Sequence, residues 1–93
     1  MSVKRHLTKT CCGNKGYIFE VDKPVTKDML SIFVTAGYLS SDVYTKVGVF
    51  YVERQGLTAT GPFGGRMLQV RCRGNSNCSI LLDHLENTFN SLV

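Results

Sequence analysis

Between Arg66 and Arg73 apolar and polar side chains alternate. Leu68, Val70 and Cys72 face one way, and Met67, Gln69, Arg71 and Arg73 face the other. A period of two predicts a strand with one buried and one largely polar side. Further along, Cys78, Leu81, Leu82, Leu85, Phe89 and Leu92 fall on one face at a period near 3.6, while Asp83, Glu86, Asn87 and Asn90 fall on the other. That spacing predicts an amphipathic helix, capped by Ser76 or Asn77.

Gly16 to Val21 is also strand-like. Tyr17, Phe19 and Val21 share one side, and Ile18, Glu20 and Asp22 the other. Arg5 to Cys11, across a turn at Cys12–Gly16, is a candidate hairpin partner for it. After Pro24 a helix is expected, with Thr26 as N-cap, a stripe of Met29, Leu30, Phe33 and Val34, and Gly37 at its end. Val43 to Glu53 is rich in β-branched and aromatic residues and predicts a strand. Because residues 47–52 are apolar on both faces apart from Gly48, a central place in the sheet is expected. Gln55-Gly56 is a tight-turn candidate. Leu57 to Thr60 is a short returning strand, and Gly61 to Gly65 a loop.

The resulting order, (β)βαβββα, implies an α+β two-layer sandwich: an antiparallel sheet of three to five strands with two helices on one face. Residues 1–15 are expected to form a basic arm or hairpin strand, and residues 16–93 a single domain. The helix, three-strand, helix order of residues 26–92 resembles that of double-stranded-RNA-binding domains and of the small mRNA-cleaving toxins built on the same core. The likeness is topological. The last helix starts Cys78-Ser79-Ile80-Leu81, without the lysines of the RNA-binding domains. Thr45-Lys46-Val47-Gly48 lacks the histidine of the toxins. Neither function is carried over.

Composition narrows the classes. With 93 residues, 43% of them hydrophobic and 19% charged, the chain fits one globular domain and is too apolar to be disordered throughout. No apolar run reaches the roughly 20 residues of a membrane helix. No secretory leader is visible ahead of the first strand, so reduced thiols and a cytoplasmic setting are expected. Cys72 and Cys78 read as small core residues.

Candidate chemistry is sparse. Cys11-Cys12 and Cys72-x5-Cys78 lack the usual zinc-ligand spacing, so no metal site is assigned. The Gly61–Arg66 loop lacks the Lys-Ser/Thr pair and the helix of a phosphate-binding loop. Glu20 and Asp22 are read as solvated, and no Ser-His-Asp pattern occurs. A non-enzymatic protein without a cofactor is expected.

Charge carries the strongest functional signal. The net charge is +4, unevenly spread. Lys4, Arg5, Lys9 and Lys15 form an arm without acids, and Arg66, Arg71 and Arg73 form a second basic block. These seven residues, with Gln69 on the same strand and Phe63 in the glycine-rich loop, are the candidate contacts for nucleic acid or a protein partner. Tyr44, Phe50 or Tyr51 would add stacking surfaces on an open sheet. The expected role is a small regulatory protein touching nucleic acid. The alternative is a protein-interaction module, an inhibitor or adaptor acting through the open face or an edge strand, or as a homodimer.

Overall fold

A computed structural model of the chain describes residues 1–8, 15–73 and 77–92. Its elements are β1 (Val3–Leu7), β2 (Lys15–Val21), α1 (Met29–Thr35), α2 (Asp42–Lys46), β3 (Val49–Arg54), β4 (Leu57–Pro62), β5 (Met67–Cys72) and α3 (Cys78–Asn90). The strands form one five-stranded sheet in the order β1-β2-β5-β4-β3. All four pairings are antiparallel. The fold is α+β, as expected, with the short helix α2 in addition.

The alternation read from the sequence decides which face is buried. Phe19 and Val21 of β2, Leu68, Val70 and Cys72 of β5, Leu57 and Ala59 of β4, and Phe50 and Val52 of β3 are all buried. They form one core with Phe33 of α1 and with Leu81, Leu82, Leu85 and Phe89 of α3. Phe33 is its aromatic hub, edge-on to Tyr38, Phe50 and Phe89 at centroid distances of 5.3, 5.4 and 4.8 Å. Such edge-to-face contacts place positive ring edges on negative ring faces. The other face of the sheet carries Lys4, His6, Ile18, Glu20, Met67, Gln69, Arg71, Thr58, Thr60, Tyr51 and Glu53, as the strand registers and their period of two require. No helix of the described residues is long and apolar enough to cross a membrane.

Several expectations are corrected. The strand expected over Val43–Glu53 is two elements. Asp42–Lys46 is helical, and the strand starts at Val49 after Gly48 turns the chain at φ +81. β3 is an edge strand, not a central one. Its outer side is partly occupied by a bridge from Leu39 to Glu53. Helix α1 begins at Met29 with Asp28 rather than Thr26 at its N-cap, and only Phe33 of its expected apolar stripe is buried. Met29 and Leu30 are partly buried against the core, while Val34 is exposed on the far side of this helix of about two turns. Asn77 caps α3 without a side-chain hydrogen bond, and Ser76 lies outside the described residues. Gln55-Gly56 forms the expected tight turn, with φ of 50 and 90, as type I′ hairpin turns require.

The largest correction concerns sulfur. Cys72 and Cys78 form a disulfide, with Cα atoms 5.9 Å apart. Both were expected as free thiols. Each faces the core, one ending β5 and the other starting α3, so the two inward positions converge at the same end of the sheet. A Cα separation of roughly 4.4–6.8 Å permits the bond. Bonds of this kind persist in oxidising compartments, so the expectation of reduced thiols does not hold for this pair.

Candidate nucleic-acid interface

One end of the sheet carries Arg71 and Arg73 of the second basic block, with the backbone of Lys15 from the first entering opposite the buried Cys72. The β2–β5 register sets Lys15 opposite Cys72 and Gly16 opposite Arg71. Lys15 therefore enters the sheet at the residue between Arg71 and Arg73. Arg71 and Arg73 are both exposed. Among the described residues, neither forms an ion pair. The closest acid by register is Glu53, two strands away through Thr58, roughly 10 Å at the usual strand spacing. Glu53 is itself occupied, accepting a hydrogen bond from the Tyr51 hydroxyl at 3.0 Å.

Beside this basic end lies a polar and aromatic row. The registers align His6, Ile18, Gln69, Thr60 and Tyr51 across all five strands. At its far end Tyr44 of α2 stacks on Tyr51, with centroids 4.4 Å apart and planes within 8°. The Tyr51 phenol is held above its ordinary pKa, first by burial and then by its bond to Glu53. Tyr44 leaves part of its ring in solvent. A planar base could lie against it, since every base has a π face. Phe50, a third stacking candidate, is instead fully buried in the core.

The remaining candidates are dispersed. Arg66 is exposed at the opposite end of β5, where its carbonyl accepts from Val21 N–H. It stands roughly 23 Å of extended strand from Arg73. Phe63 is half-buried and packs against the core instead of standing free at a loop tip. Lys4 is exposed opposite Glu20 at the outer edge. Arg5 shares the helix-covered side with Phe19, whose ring centroid is 5.8 Å from its guanidinium carbon. Its Nη2 contacts Asp83 at 2.7 Å and Glu86 at 3.3 Å. Burial pulls the Arg5 pKa down, but the bonds and charges of the two carboxylates outweigh it and raise it. Arg5 therefore fastens β1 to α3. Lys9 lies outside the described residues, as do Cys11 and Cys12.

The open face as a whole is balanced: Lys4 and Arg71 are offset by Glu20 and Glu53. The unpaired positive charge thus belongs to Arg71 and Arg73 at one end of β5 and not to the full face.

A second cluster had no sequence signal beyond the place of His84 next to Leu85 on α3. The Tyr38 hydroxyl and His84 Nδ1 share a hydrogen bond at 2.9 Å. The Arg54 guanidinium carbon is 5.9 Å from the Tyr38 ring centroid. Burial, then the Arg54 charge, lowers the His84 pKa. Burial raises that of Tyr38, against the opposing effect of Arg54. Tyr38 is buried and bonded, which suits it to joining α3 to the turn after α1. Among the described residues no group of three or more His, Cys, Asp or Glu could hold a metal ion.

Comparisons with protein-family models, curated proteins and solved structures return no match for this chain.

Proposed function

We propose that the protein is a small non-enzymatic regulator that binds single-stranded nucleic acid at the Arg71–Arg73 end of its sheet. The observation that supports this is that Arg71 and Arg73 are both exposed at one end of β5 and, among the described residues, form no ion pair. Arg71 and Arg73 supply forked donors suited to phosphate oxygens. Gln69, Thr60 and the Tyr44–Tyr51 stack continue the surface away from the charge, where bases would lie. Single strands fit better than a duplex, because two neighbouring arginines beside a stacking platform suit a flexible backbone with unstacked bases. A cytoplasmic site of action belongs to this proposal, provided the fold survives reduction of the Cys72–Cys78 bond.

The test is fluorescence anisotropy with labelled single-stranded RNA, single-stranded DNA and a DNA duplex. Binding of single strands that is abolished by Arg71→Glu with Arg73→Glu, at unchanged circular dichroism, supports the proposal. Failure of any nucleic acid to bind at low salt overturns it.

A second role has its own observation. Leu39 beside β3, Val43 on α2 and Val47 at its C-cap are each about 70% exposed. Exposed aliphatic groups so close together on a small domain suit a protein partner, inhibitor or adaptor fashion. Val43→Asp with Val47→Asp would then abolish capture of the partner and leave nucleic-acid binding intact.

A further inference from the structure

β1 is the outer strand of the sheet, and its hydrogen-bonding pattern is determined. Thr8 N–H donates to the Gly16 carbonyl at 3.0 Å, and Asp22 N–H to the Ser2 carbonyl at 3.2 Å. In an antiparallel ladder hydrogen-bonded pairs alternate with non-bonded ones. The even-numbered residues of β1 therefore bond β2, and Val3, Arg5 and Leu7 turn their N–H and C=O groups outward.

Edges of this kind are commonly blunted by charge. Lys4, Arg5 and His6 look like such a device in the sequence, but folding changes the balance. Lys4 stands opposite Glu20, and His6 Nε2 is 3.6 Å from a Glu20 oxygen. Arg5 is held by Asp83 and Glu86. Two permanent cations face three carboxylates, so the edge does not repel a strand that carries positive charge. Its flank is apolar. Leu7 is 73% exposed and Ile80 of α3 is 67% exposed. β1 and α3 run in opposite directions, since the Met1 nitrogen donates to the Leu92 carbonyl while Arg5 reaches Asp83. Leu7 therefore extends toward the end of α3 that carries Ile80.

We infer that β1 pairs antiparallel with β1 of a second copy, about a two-fold axis at Arg5. The sheets join into one of ten strands with both open faces on the same side. Each Val3 then lies opposite Leu7 of the partner subunit, two aliphatic pairs about the axis. At the axis two guanidinium groups lie among four carboxylates, two from each α3. A strand that fits this edge needs apolar residues two positions to either side of its centre, and Arg5 of each copy, already paired with Asp83 and Glu86, brings no unpaired cation to the axis. β1 meets that requirement with its own sequence, and a two-fold interface must be self-complementary in this way.

Sedimentation velocity across a concentration series, without nucleic acid, should give a monomer–dimer equilibrium. Amide exchange by NMR should show Val3, Arg5 and Leu7 slowed about ten-fold or more when dimer dominates, as newly bonded amides are. Leu7→Pro removes an N–H that is outward in the monomer, and Pro is tolerated on edge strands. It should leave the circular dichroism unchanged and yield monomer at every concentration. If Leu7→Pro disturbs the fold, the wild-type exchange pattern decides. A wild type that stays monomeric, a dimer that survives a folded Leu7→Pro, or a dimer without slowing at those three amides overturns the inference. None of these measurements depends on nucleic-acid binding.

Discussion

Reduction of the Cys72–Cys78 bond tests the most consequential difference between sequence and structure. The bond joins residues six apart in sequence. In the chain-entropy account, closing a loop of that size lowers the entropy of the unfolded chain by about 8 cal/mol/K, or about 2.4 kcal/mol at 25 °C. A domain of this length melts with an entropy near 2 cal/mol/K per residue, so 1 kcal/mol corresponds to a shift of about 5 °C. Dithiothreitol is therefore expected to lower Tm by about 12 °C. The expected total stability, about 5–14 kcal/mol, exceeds the loss, so the reduced protein stays folded at 25 °C. The assay is differential scanning fluorimetry with and without reductant, after mass spectrometry of iodoacetamide-treated native protein has located the blocked cysteines. A Tm unaffected by reductant, or full alkylation of Cys72 and Cys78 in unreduced protein under denaturant, would refute the bond. Unfolding on reduction at 25 °C would show that the bond supplies more than loop closure, and would rule out a reducing site of action.

Other outcomes follow from packing and from titration. Phe33→Ala removes the ring that three other rings contact and leaves a cavity under α1; urea denaturation should show a loss of about 3–5 kcal/mol. A loss below 1 kcal/mol would mean that α1 is not seated on the sheet. His84 has a lowered folded pKa, so the unfolded chain binds its proton first as pH falls. The stability tied to its neutral form is complete above pH 6.5 and declines below it, down to the folded pKa. Tm of the wild type should therefore fall more between pH 7.5 and 5.5 than Tm of His84→Gln, and parallel curves would contradict the burial of His84. Arg5→Ala should cost about 1 kcal/mol and reduce the salt sensitivity of Tm, since two partly exposed ion pairs are lost. No change in either quantity would mean that Arg5 does not hold β1 to α3.

The elements with the plainest periodicity were the most legible. β5 and α3 follow the expected faces residue by residue, because each lies across the core and has one wet side. β3 misled for a physical reason. Val43 and Val47 have high β propensity, but Val43 belongs to a short helix beside the sheet and Val47 caps its end, where both are exposed. Counting them with Phe50 and Val52 produced the two-sided apolarity that implied a central strand. The positive φ of Gly48 marks the actual boundary. For the candidate site, the sequence carried the charges but not their placement. Arg5 and Lys15 are neighbours in one basic arm, yet one is consumed by Asp83 and Glu86 while the other enters the sheet beside Arg71. Only strand register separates them. The disulfide was hidden because both cysteines already had a sufficient explanation as inward-facing core residues, and that same inward orientation is what brings them together.

The salt dependence of binding to a single-stranded oligonucleotide is the most direct test of the proposed basic end. Two phosphate contacts at Arg71 and Arg73 should give a slope of log K against log salt of about −1.4. Arg71→Glu with Arg73→Glu should remove binding while Tm stays within a few degrees. A slope near zero, or binding that persists undiminished in that double variant, would contradict the assignment of these residues.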